Sequence, residues 1–136
     1  MHLVIFHGSC VHGSAIYVRD KTSVKSSSVH SADGLEILRV KTNNITITSV
    51  YKPPSTPFKW PEDLSTDDAV HLVIGDFSSH SSNWEYSDTN EDGELVEEWA
   101  LEGNLVLLNR ANDKPSFHSA RWRKGYNPDL ALLPAF

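Results

Sequence analysis

His71-Leu-Val-Ile-Gly-Asp-Phe-Ser-Ser-His80 runs from an apolar stretch into a carboxylate, a hydroxyl pair and an imidazole. Leu72, Val73 and Ile74 read as a buried strand, since a short apolar run bounded by turn residues suits that role. Gly75 and Asp76 then fall where the strand leaves the core. Rigid scaffolds present polar groups to clefts at such strand ends. An acid there, followed by small polar residues, suits general-base or metal-assisted chemistry on a phosphate. A Gly-Asp after a strand also makes an ordinary turn.

Working outward, Ile45-Thr-Ile-Thr-Ser-Val-Tyr51 alternates, with Ile45, Ile47 and Tyr51 on one face and Thr46, Thr48 and Val50 on the other. Pro53 and Pro54 end that strand, because proline cannot donate to a ladder. Residues 36–41 alternate too, and Asn43-Asn44 reads as the turn of an antiparallel pair. Residues 14–19 form a further strand, while the Ser- and Lys-rich residues 21–31 read as an exposed connection. Residues 56–68 form a second connection, with a short helical turn expected before Ala69.

Toward the carboxyl end, residues 92–103 form the one convincing helix. Its acids cluster early, where they suit the positive end of the dipole, and Gly103 stops it. Leu95 and Trp99 lie one turn apart and face the core together. Residues 105–108, 116–118 and 130–133 are short strands. The expectation is a single domain over residues 1–136, mostly strands with one helix.

Composition bounds the function. With 136 residues and 39% hydrophobic content, the chain buries a core without staples. Cys10 is the only cysteine, so an internal disulfide and a thiolate metal cluster are excluded, and a reducing compartment is expected. A net charge of −6 argues against strong nonspecific affinity for nucleic acid, which needs a basic footprint, but leaves room for one local basic patch. Residues 1–6 are too short for a signal peptide, and no apolar run reaches membrane-spanning length. A soluble intracellular placement is expected.

Five motifs in order carry a resemblance. They are Gly13-Ser-Ala-Ile-Tyr-Val-Arg-Asp20, Val50-Tyr-Lys-Pro-Pro-Ser55, Ile74-Gly-Asp-Phe-Ser-Ser-His80, Trp99 with Leu107-Leu-Asn109, and Tyr126-Asn-Pro-Asp-Leu130. This order resembles the endonuclease domain of jockey-like non-LTR retrotransposons, a branch of the endonuclease/exonuclease/phosphatase superfamily. The resemblance implies an α/β (α+β) fold, a four-layer sandwich of mostly antiparallel sheets with flanking helices. It implies cleavage of DNA phosphodiesters with Mg2+, fusion to a reverse transcriptase, and a nuclear location. Asp76 matches the acid that activates the attacking water, Tyr51 a tyrosine that reaches the phosphate, and Asp129 an aspartate that orients a histidine.

Departures from the family pattern bear on activity. Ser78 stands where the family has asparagine, whose amide offers both a donor and an acceptor. The family's metal-binding glutamate, which would precede the segment at residues 13–20, has no carboxylate to match it in residues 1–11. The family's Ser-Asp-His motif would lie beyond Phe136. The expectation is therefore a partial sandwich, truncated at both ends, with little turnover and no metal-ligating residue assigned. A noncatalytic remnant that binds nucleic acid or protein is the alternative, and phosphatase action on a small substrate is a third.

The remaining candidates each have a bland counterpart. Tyr51 also suits a strand-end core plug, and Asp129 a salt bridge or turn cap. His80 suits a structural hydrogen bond, with catalysis as the sharper alternative. His7 and His12 form a conceivable metal pair or two solvated imidazoles. The acids Asp88, Glu91, Asp92 and Glu94 lack EF-hand spacing and read as a solvated helix start. Arg121, Trp122, Arg123 and Lys124 form the one basic and aromatic cluster: a DNA-reading hairpin, or a solvated hairpin with Trp122 packed on the core.

Overall fold

The computed structural model describes residues 2–8, 13–66, 70–110 and 114–135. In chain order the elements are β1 (His2–Gly8), β2 (Gly13–Val18), β3 (Val24–Ala32), β4 (Leu35–Thr42), β5 (Thr46–Tyr51) and β6 (His71–Asp76). A 3-10 turn (Ser82–Trp84), helix α1 (Glu91–Glu102), β7 (Leu105–Leu107), β8 (Phe117–Ser119), β9 (Lys124–Tyr126) and β10 (Asp129–Pro134) follow. Six strands make the main sheet in the order β3-β4-β5-β6-β10-β7. Its pairings are antiparallel except β5 with β6, which run parallel and are joined by the long connection over residues 52–70. β1–β2 and β8–β9 are separate antiparallel pairs. This is the mixed, mostly antiparallel α/β arrangement expected.

Register decides which face is covered. Ile37 pairs with Val50 and Arg39 with Thr48, while Thr48 pairs with Val73 and Leu132 with Val73. Paired residues point to the same side, so these side chains share one face, and all of them are buried. The threonine side of β5 is therefore its inward side. It stays satisfied there because Arg39 Nε donates to Thr48 Oγ1 at 2.9 Å and His71 Nε2 lies 2.6 Å from the same hydroxyl. On the opposite face Leu38 and Val40 are fully buried where the β1–β2 pair meets β4.

Helix α1 and the 52–66 connection close the inward face. Phe58, Leu64, Phe77, Trp84 and Val96 join the strand residues in one apolar core. Trp99 lies at the aromatic centre, 5.4 Å from the Phe58 ring, 6.0 Å from Phe77 and 4.6 Å from Trp60. Asn90 caps the helix by accepting from Gly93 N at 2.8 Å, and Gly103 N donates to Trp99 O at 3.0 Å to end it. Leu95 and Trp99 do pack against the core, as their spacing predicts.

Two expectations need correction. Residues 21–31 are not a free connection, since β3 runs through them as the edge of the main sheet. Their serines and lysines suit a position with one wet edge and hide its strand character. The residues directly before Ala69, where a short helical turn is expected, lie outside the described residues; earlier in that connection Leu64 N donates to Pro61 O at 3.2 Å. Finally, Asp92 is not simply solvated: its Oδ2 lies 2.9 Å from the Lys52 ammonium.

Gly75 sits where β6 crosses beside β5, with φ at +150°, and a Cβ there would lie 1.9 Å from the Val50 carbonyl oxygen. The clash is with backbone in the sheet interior, so a side chain cannot move aside. Gly75→Ala should destabilise the fold by about 3 kcal/mol or more. Urea unfolding checks this, and an unchanged midpoint would refute the tight β5–β6 approach.

Candidate active site

Asp76 ends β6, where it pairs with Tyr51 of β5 on one side and with Asp129 of β10 on the other. Three of the residues singled out in sequence therefore stand level on adjacent strands. The strand end is fixed on both flanks. Lys52 N donates to Asp76 O at 2.8 Å, and Phe77 N donates to Pro128 O at 2.9 Å. Phe77 is fully buried and Ser79 too, so the alternate residues Asp76, Ser78 and His80 are turned toward the surface.

Ser78 locks the carboxylate. Its backbone N–H donates to Asp76 Oδ1 at 2.9 Å and its hydroxyl to the same oxygen at 2.8 Å. The turn this requires puts Ser78 at φ +39°, a left-handed value that few residue types adopt readily. Both donors converge on Oδ1, so Oδ2 is the oxygen left to act on a ligand.

A cleft of about 530 Å³ opens beside this carboxylate, lined among others by Asp76, Ser78, His80, Tyr86, Trp122 and Tyr126. Asp129 lies in an adjoining shallow pocket with Ile74 and Asn109. Asn109 holds that strand in place, its amide donating to Asp129 O and its Oδ1 accepting from Ala131 N, both at 3.0 Å. Tyr51 is half-buried beside Asp76 and outside the cleft lining.

The far wall is the β8–β9 hairpin. Trp122 is 65% exposed, so it does not plug the core, and the Arg121 guanidinium lies 4.9 Å above its ring. Lys124 Nζ sits 5.6 Å from the Tyr126 centroid. Arg123 occupies the turn at φ +51°. The imidazole of His80 is exposed and stacks on Tyr86 at 4.1 Å, in place of the structural hydrogen bond expected. The Tyr126 motif is legible in sequence, but its ring's stacking on Tyr86 at 5.2 Å is not. Their rings meet only through the fold, and local spacing gives no signal of it.

The near wall hangs on Lys52. Its ammonium is fully buried and donates to Thr56 O at 2.6 Å and Pro53 O at 3.2 Å, besides pairing with Asp92. Asp92 Oδ1 in turn accepts from Phe58 N at 3.0 Å. This clasp binds the Pro-Pro segment to the start of α1, and Pro54 and Asp92 both line the cleft.

Of the two histidines weighed as a metal pair, His7 lies on β1 and His12 outside the described residues. Among the described residues no three His, Cys, Asp or Glu side chains gather to cage a metal ion. Asp76 and Asp129 stand level on adjacent strands but line separate pockets, so this strand end offers two carboxylates at most. A cation bound through so few carboxylates keeps several waters and leans on substrate phosphate.

The Tyr86 hydroxyl is markedly perturbed. Burial chiefly, then the Asp76 carboxylate, Tyr126 and Asp129, push its hydroxyl up to about 12. The cleft thus holds a neutral phenol beside its acids. A tyrosine in the unfolded chain ionises near 10, so the stability from this group is full below that pH and lost as pH climbs to about 12. Tyr86→Phe should flatten the alkaline loss of stability across that window in a series of thermal melts. An ultraviolet titration should lose its latest-ionising tyrosine, and an unchanged curve would contradict the buried phenol. Separately, Asp92→Ala leaves a buried ammonium without its carboxylate and should cost about 3 kcal/mol by urea unfolding. A loss below about 1 kcal/mol would mean that the clasp is a surface pair.

A family model described as Endonuclease-reverse transcriptase matches residues 45–132. Among solved structures, the endonuclease domain of TRAS1, a telomere-specific non-LTR retrotransposon, is similar with a TM-score of 0.56 and 16% sequence identity. The likeness covers 90% of this chain and 59% of that one, and at such identity it is a likeness of fold. No curated protein matches the chain.

Proposed function

Because the chain belongs to the endonuclease–reverse transcriptase family, we propose that it cleaves DNA phosphodiesters at the lip formed by Asp76. The single observation that carries this reading is the fixed carboxylate. Asp76 Oδ1 is held by both donors of Ser78 at a strand end that opens on a cleft. A base whose second oxygen is free and whose first is immobilised is set to orient a water and take its proton.

Each neighbour has a role in that reaction. Ser78 positions the carboxylate. Tyr51, level with Asp76, approaches the phosphate, and the neutral Tyr86 phenol donates toward charge building on it. Asp76 and Asp129 would hold Mg2+, which supplies Lewis-acid stabilisation of phosphate charge when bound. Arg121, Arg123 and Lys124 grip backbone phosphates on the hairpin side, with Trp122 against a base or sugar. So sparse a donor set goes with slow turnover. The reaction would act on nuclear DNA, alongside a reverse transcriptase that uses the nicked end.

A nicking assay on supercoiled plasmid with Mg2+ tests this. Slow nicking is expected, falling about a hundredfold or more in Asp76→Ala, as loss of a general base does. Removing the cation with EDTA should stop it. Absence of nicking, with salt-sensitive DNA binding that disappears in Arg121→Ala/Arg123→Ala, would replace the enzyme with a binding module.

A further inference from the structure

Three rings of the cleft form a ladder. His80 stacks on Tyr86 at 4.1 Å and 12°, and Tyr86 on Tyr126 at 5.2 Å and 21°. Lys124 closes the far end with its ammonium 5.6 Å from the Tyr126 centroid. The near end is open, because His80 is exposed and lines the cleft with Asp76 and Ser78. The aromatic pairs of the core are more tilted: Phe58 meets Phe77 at 37° and Trp99 at 59°, and Trp60 stacks on Trp99 at 30°. The cleft ladder is the flatter arrangement, the one that continues when another flat ring is added.

The terminal ring is also fixed from behind. His80 N donates to Asn90 Oδ1 and Asn90 N donates back to His80 O, both at 3.0 Å. Gly93 permits this approach, since a Cβ there would lie 1.8 Å from the His80 carbonyl oxygen. An exposed ring on an immobile backbone gains little packing energy for the fold. It does lower the ordering cost of binding something flat. The cleft, at about 530 Å³, has room for one nucleotide.

We propose that His80, backed by Tyr86 and Tyr126, is a stacking subsite for one unpaired nucleobase beside Asp76. This deepens the DNA-cleaving reading and rests on it, because it names the substrate class. A base inside a duplex already has both faces covered, so the ladder selects a strand with an unstacked nucleotide at the cleft. The imidazole contributes its face rather than its proton.

The test measures binding without cleavage, in EDTA. The probe is a short single-stranded DNA carrying one 2-aminopurine, whose emission falls on stacking, against the same strand with an abasic position there. The protein should quench the probe and bind the base-containing strand about tenfold tighter than the abasic one. His80→Ala should bring that ratio close to unity, and His80→Phe should keep it. A ratio near unity in the unaltered protein, no binding of either strand, an unaffected His80→Ala, or failure of His80→Phe to hold the ratio would each overturn the subsite. The plasmid assay separates the two readings. A preserved ratio without nicking removes the cleavage reading alone, whereas Asp76-dependent nicking with a ratio near unity removes the platform alone.

Discussion

The Lys52 ammonium is the point on which the site's geometry converges. Its backbone N–H holds the carbonyl of Asp76, while its side chain reaches the Pro53 and Thr56 carbonyls and the Asp92 carboxylate. One residue thereby joins the end of β5, the end of β6, the proline-bearing connection and the first turn of α1. Burying an ammonium is costly unless every donor finds a partner. That requirement forces the connection and the helix into a single arrangement. The near wall of the cleft inherits its shape from this one charge.

Around that clasp the molecule divides its labour. The main sheet supplies a level row of Tyr51, Asp76 and Asp129 on three neighbouring strands, which no loop rearrangement can easily displace. The segment after β6 alternates between anchors and presented groups: Phe77 and Ser79 are buried, while Asp76, Ser78 and His80 look outward. The β8–β9 hairpin then sets exposed aromatic and basic side chains across the gap. The groups proposed to react thus stand on the main sheet, and those proposed to grip DNA on an accessory pair of strands.

Much of this could be read from residue patterns. The β4–β5 pair showed in its alternation, β6 in its apolar run, and α1 in its early acids and terminal Gly103, because each of these signals is local. β3 did not show, since an edge strand carries serine and lysine where a central strand carries valine and isoleucine. Which face of β5 turns inward was also out of reach, because buried Thr48 is made acceptable by Arg39 and His71 from other strands. In the site, Asp76 and Ser78 are legible from motif order, and the basic hairpin from its clustered arginine, tryptophan and lysine. The Tyr86–Tyr126 stack and the Lys52–Asp92 clasp are contacts across the chain, and no spacing rule announces them. Asp92 in particular reads as one more helix-start acid until its partner is seen.

Ser78 gives the departure from the family's asparagine a conformational logic. Its left-handed backbone admits chiefly glycine, asparagine, aspartate and, with less ease, serine. Of these, only side chains that can donate hold the carboxylate next door as firmly as the hydroxyl does. Steric and chemical filters therefore leave almost the same shortlist, so drift at this position is channelled rather than free. Codons for asparagine and serine lie one base apart, and a lineage can cross between them without passing through a misfolded ancestor.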